Sequence, residues 1–175
     1  LVDAARSLVY QHGLDVSMVE VAAAAGVSNA TRHRHFPTRE SLLEAVFISF
    51  VDQLRRVLES VEDPSDAFLT LMRVSAHGTR QSPGLADLSA RRGVLPELRR
   101  QLLSRAIELI AEPLRLAQEA GKVRADLTPQ DYPLIMSMVG AIGESDGLVE
   151  GAGDHVERGL SVLFDGVSPR ERPGG

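Results

Sequence analysis

Apolar residues recur every three to four positions along most of this chain and almost nowhere in strict alternation, a pattern that predicts helices and no sheet. Leu1, Ala4, Ala5, Leu8 and Val9 form one stripe over residues 1–12, closed by Gly13. A short second helix starts at Ser17, where Glu20 completes a capping box in which each side chain satisfies an unpaired N–H of the helix start. Gly26 ends it, because glycine accepts the left-handed conformation that follows a helix. Ser28 caps a third helix that lasts until Pro37, whose ring and missing N–H stop it. Thr38 caps a fourth, with Ser41 where the reciprocal acid would sit. Leu42, Leu43, Val46, Phe47, Phe50, Val51, Leu54 and Leu58 carry that helix to about Ser60.

The remainder follows the same period. Pro64 and Ser65 open a helix through Ala67, Phe68, Leu71, Met72 and Val74, broken at Ser82-Pro83-Gly84. The segment from Gly84 to Val94 is expected to be a short helix with loops. Pro96 occupies a first-turn position of a strong helix through Leu98, Leu102, Leu103, Ala106, Ile107, Ile110, Leu114 and Ala117, ending at Gly121, with a kink expected at Pro113. Thr128-Pro129 begins another, apolar through Ile135, Met136, Val139 and Ile142 and carrying small residues at Gly140, Ala141 and Gly143. The last presents Val156, Leu160, Leu163, Phe164 and Val167 as a stripe that must be buried. No repeat of solenoid period is present.

The second and third helices are each about two turns long and are joined by a tight turn containing glycine, which is the geometry of a helix-turn-helix. The expected architecture is all-α. A three-helix helix-turn-helix head spans residues 1–45 and a helical body 46–167, and the Pro- and Gly-rich tail, 168–175, is expected to be mobile.

Charge sharpens this picture. The formal net charge is -5, which by itself argues against a polyanionic partner. Its distribution argues the other way. Between Ser28 and Glu40 lie Arg32, Arg34 and Arg39 with His33 and His35, against one acid, whereas most acids fall in the body. The predicted partner is double-stranded DNA, docked by one end of the molecule.

Other chemistry is poorly supported. Cysteine is absent, which removes disulfides, thiolate metal sites and cysteine nucleophiles. His33 and His35 are two positions apart and so point to different helix faces, and no zinc-binding motif accompanies them. Neither a nucleophile elbow nor a phosphate loop occurs, so no enzyme activity, metal or cofactor is expected. Asn29-Ala30-Thr31 is formally a glycosylation sequon, incidental without an export signal. No basic-then-apolar leader and no long uncharged apolar run is present, so a cytoplasmic protein without membrane contact is expected. The chain opens at Leu1 already in helical register, and a short preceding arm is expected.

The strings Ala25-Gly26-Val27-Ser28 and Arg34-His35-Phe36-Pro37-Thr38-Arg39-Glu40, followed by an all-helical body, resemble the TetR family of transcriptional regulators. The resemblance is strong over about residues 1–60. It is weaker in the body, at Ala120 to Pro129. It implies a homodimer built by the last two helices, operator binding by both heads, and a small-molecule effector in the body that releases the DNA. The implied DNA-binding residues are Ser17, Ser28, Asn29, Ala30, Thr31, Arg32, His33, Arg34, His35 and Arg39. Asn29 suits an adenine edge, Thr31 a hydrogen bond or a thymine methyl, and Ala30 apolar contact only. Arg39 matches a basic position that grips the backbone, a contact that fixes register without reading sequence.

The family usually has Leu then Tyr where this chain has Arg32 then His33. Arg32 therefore either snorkels to the edge of the head's core or becomes an extra DNA contact. The effector is expected among the helices near residues 65–81, 96–120 and 129–147, with Phe68, Met72, His77, Ile107 and Met136 as candidate lining. Exposed charge at His77 and plain core filling by methionine compete with that assignment. A regulator that senses no small molecule, acting as an activator or architectural factor or through a protein partner, is the alternative.

Overall fold

The described residues of the computed structural model, 1–81, 96–144 and 152–169, form eight helices in two packed groups. The segment Gly84 to Val94 and tail residues 170–175 lie outside them, as do the side chains of Arg80, Leu98, Leu102 and Val156 and the surroundings of Gly143.

The first group holds α1 (Val2–His12), α2 (Met18–Ala24), α3 (Asn29–His35) and the start of α4 (Arg39–Glu59). Its core is Ala5, Val9, Leu14, Val16, Val21, Leu42, Leu43, Val46 and Phe47, the apolar stripes of α1 and α4 closed by the turn between α1 and α2. The expected caps are present. Ser17 accepts from the Glu20 N–H at 3.1 Å while Glu20 accepts from the Ser17 N–H, Ser28 accepts from the Thr31 N–H, and Thr38 and Ser41 cap each other. Gly13 and Gly26 have φ of 85° and 65°, the left-handed region a β-carbon disfavours.

Helix α4 continues out of this group. Its Leu54 and Leu58 pack on the second core, so one helix belongs to both. The second group contains a single 3-10 turn, Pro64–Asp66, then α5 (Ala67–Gln81), α6 (Pro96–Glu119), α7 (Asp131–Glu144) and α8 (Ala152–Val167). Its core joins Phe68, Leu71, Met72 and Ala76 of α5 to Ile110, Leu114 and Ala117 of α6, to Tyr132, Ile135, Met136 and Val139 of α7, and to Leu160 and Val167 of α8. Helix α6 runs through Pro113, so the expected kink does not end it. Helix α7 begins at Asp131, whose carboxylate accepts from the Thr128 N–H and hydroxyl; Thr128-Pro129 lies in the turn ahead of it.

Two polar features tie the second group together. Lys122 donates to Asp63 at 2.9 Å and Asp66 at 2.6 Å, which clamps the end of α6 to the turn after α4. The Ser65 hydroxyl foremost, then Lys122, holds the Asp63 carboxyl down at about 2, against an ordinary 3.8. Inside, the Tyr132 and Ser75 hydroxyls bond at 2.8 Å, joining α7 to α5, and burial pushes the Tyr132 hydroxyl up from its ordinary value. Where α7 meets α8, close approach depends on Gly159, whose β-carbon would lie 3.2 Å from the Ile142 side chain.

Candidate nucleic-acid interface

Helix α3 buries none of its side chains. Asn29, Ala30, His33, Arg34 and His35 are exposed, and Thr31 and Arg32 are half-buried. In a helix-turn-helix the second helix enters the major groove by its N-terminal residues while the first crosses the backbone. Such a helix must be free of the head's core and held by its ends, and α3 meets both conditions. Ser28 caps its start, and the Ser28 and Thr31 hydroxyls lie 3.0 Å apart. Arg34 also reaches the Thr31 hydroxyl, at 3.4 Å. The Thr31 hydroxyl thus already has partners within the head.

Arg32 is half-buried. Its Nη1 donates to the Phe36 carbonyl at 3.3 Å, which closes the end of α3, and its Nε is buried without a hydrogen-bond partner. A leucine there would carry no orphaned donor, whose desolvation costs about 1–3 kcal/mol.

Arg39, at the first position of α4, is engaged as well. Its Nη2 donates to the Leu14 carbonyl and to the Asp15 carboxylate, the latter at 3.0 Å. Both partners lie in the turn between α1 and α2, directly before Ser17. Sequence reasoning missed Asp15, because its partner is 24 residues away and no local pattern links them.

The body residues proposed from helical position divide. Phe68, Met72 and Met136 meet in the same buried cluster, Ile107 is half-buried beside the inward stripe of Ile110 and Leu114, and His77 is exposed. A different surface stands open. Leu134 and Met138 of α7 and Val162 of α8 are 50%, 50% and 54% exposed, and with Ala141, Ile142 and Leu163 they line a groove of about 730 Å3 that is almost wholly apolar.

A head of this geometry on a helical body defines a helix-turn-helix regulator, and comparison with known proteins assigns the family. Residues 1–46 match the model of bacterial regulatory proteins of the tetR family, and residues 63–169 match the C-terminal domain of SbtR-like transcriptional regulators. The chain belongs to the TetR family of bacterial regulatory proteins. It is 35% identical over 88 residues to the HTH-type transcriptional regulator BetI of Rhizobium meliloti, a stretch that is 47% of this chain and 43% of that protein. It therefore spans less than half of that relative's length. A TetR transcription regulatory protein from Mycobacterium vanbaalenii superposes with a TM-score of 0.63 at 27% identity, covering 95% of this chain and 92% of that one. The fold is also that of Thermus thermophilus FadR, a TetR-family transcriptional repressor solved with lauroyl-CoA, with a TM-score of 0.54, 24% identity and 99% and 96% of the two chains covered. No described helix is long and apolar enough to cross a membrane.

Proposed function

We propose that this regulator is a repressor that binds a pseudo-palindromic operator as a homodimer, through Ser17 and Ser28 to His35 with Arg39 beside them, and is released when a small molecule enters its body. The observation that carries the reading is the half-exposed apolar face of Leu134, Met138 and Val162. An apolar groove on two otherwise packed helices suits a second copy of the same surface, and a two-fold dimer presents its heads to an inverted repeat. FadR, a repressor with a ligand on this fold, supports release by an effector.

One observation favours a second reading, a regulator without a small-molecule effector. Phe68 and Met72 are almost fully buried in a packed core, so any ligand among them has to displace side chains. Selection from random duplexes tests the operator. Two inverted half-sites, centred about 34–36 Å apart or a multiple of it, are expected, with Thr31→Ala changing the preferred base within each half. An unenriched pool, or a single half-site, contradicts the proposal. A compound screen read by both thermal shift and operator release separates the two readings. Linkage requires that a true effector bind less tightly to the DNA complex by the same factor.

A further inference from the structure

We infer that Arg39 is a positioning residue for DNA binding, which sets the start of α2 by bracing the turn between α1 and α2, and that Asp15 cancels its charge at the DNA surface. The inference rests on the DNA-binding reading and revises the role that the family resemblance gives to this position.

The turn of residues 13–17 carries the chain from the end of α1 to the cap of α2. Gly13 turns it with a φ of 85°, and the Leu14 and Val16 side chains anchor it in the head's core. The Arg39 guanidinium donates to the Leu14 carbonyl of this anchored turn. Because Arg39 is the first residue of α4, this bond ties the start of the longest head helix to the peptide just ahead of Ser17. Helix α2 is only seven residues long, so its direction depends on how its entry is held.

Charge points the same way. Asp15 is almost fully exposed and bonds the same guanidinium nitrogen at 3.0 Å. An unpaired carboxylate beside the DNA-facing end of α2 would repel phosphate, and an Arg39 already paired with it adds little net positive charge. A residue that neutralises a phosphate releases counterions and steepens the salt dependence of binding; a brace does not.

The experiment is a set of salt titrations of a selected duplex against wild type, Arg39→Ala, Arg39→Gln, Asp15→Asn and the double variant Asp15→Asn/Arg39→Gln, with hydrogen exchange on the free proteins. Arg39→Ala is expected to bind roughly tenfold more weakly, the size of one charge-assisted hydrogen bond, whereas the doubly neutral Asp15→Asn/Arg39→Gln, which keeps the local net charge of the wild type, should leave the slope of log K on log salt unchanged. Arg39→Gln, uncharged but still able to donate to the Leu14 carbonyl, should regain most of that loss. Asp15→Asn should steepen the slope, since Arg39 is then uncompensated. In free Arg39→Ala the amides of residues 14–18 should exchange faster, and in Arg39→Gln they should not. A slope shallower by about 0.9 in Asp15→Asn/Arg39→Gln, with exchange unchanged in Arg39→Ala, would assign Arg39 to a phosphate and overturn the inference. Failure of the wild-type protein to select any DNA would refute the DNA-binding reading instead, and the exchange measurements would still decide the brace.

Discussion

Helix α3 and the α7–α8 pair each leave a face to solvent, and the two faces are opposite in character. Helix α3 exposes Asn29, His33, Arg34 and His35 and has no fully buried residue, and hydrogen bonds at its own ends hold it. Helices α7 and α8 are anchored in the body by Tyr132, Ile135, Val139, Leu160 and Val167, yet leave Leu134, Met138 and Val162 half exposed. A polar face is stable in water and meets its partner through charge that acts over about 10 Å. An apolar face gains only on contact. The same molecule thus carries one surface suited to a polyanion and one suited to a copy of itself.

The largest effect should come from separating what anchors α8 from what it presents. Leu160→Glu places a carboxylate in the buried cluster without a partner and should cost more than about 3 kcal/mol, seen as loss of cooperative thermal unfolding. Met138→Glu, on the exposed side, should keep the helical circular dichroism while sedimentation moves from dimer to monomer. A dimeric Met138→Glu protein would mean that copies associate elsewhere.

An intermediate effect is expected at α3. Arg32→Leu removes a buried donor that has no partner and should stabilise the head by about 1 kcal/mol, raising the melting temperature by about 2–4 °C. A fall would show that closing the Phe36 carbonyl outweighs the orphaned nitrogen, and that α3 needs this arginine.

The smallest concerns the clamp beneath α4. Asp63 is held at about 2 in the fold against 3.8, so its charged form stabilises the protein above pH 3.8, and that contribution is lost as pH falls toward 2. Asp63→Asn should therefore melt slightly below wild type near neutral pH, with the gap closing by about pH 2. Melting curves across that range check the sign. A gap that widens on acidification would remove Asp63 from the clamp.

The head was largely legible because its boundaries are written in single residues. Ser17 with Glu20, Ser28, Thr38 with Ser41, Gly13 and Gly26 each act on a backbone group within four positions. The partners of Arg39 were not legible, since the fold alone brings Leu14 and Asp15 to it. Nor could the fate of Arg32 be read, because either face of a seven-residue helix could take it.

In the body, periodicity identified the inward faces of Phe68, Met72 and Met136 but could not tell whether such a face meets a neighbour or a hollow. Ile107 shares the stripe of Ile110 and Leu114, three and seven residues on, yet is only half-buried, a difference that spacing alone does not reveal. Helix α7 is apolar around most of its circumference, so no pattern announced that Leu134 and Met138 would remain outside.

Helix α4 spans 21 residues, about 30 Å, with its first half in one core and its last turns in the other. It is a rigid crank shared by two bodies. Were the body to repack around Leu54 and Leu58 so that this rod rotated by about 5°, the far end would swing by about 2–3 Å. Two such cranks turning oppositely would change the span between paired recognition helices by about 5 Å. DNA holds successive major grooves about 34–36 Å apart and stretches little, so that mismatch would break one head's fit whenever the other is seated.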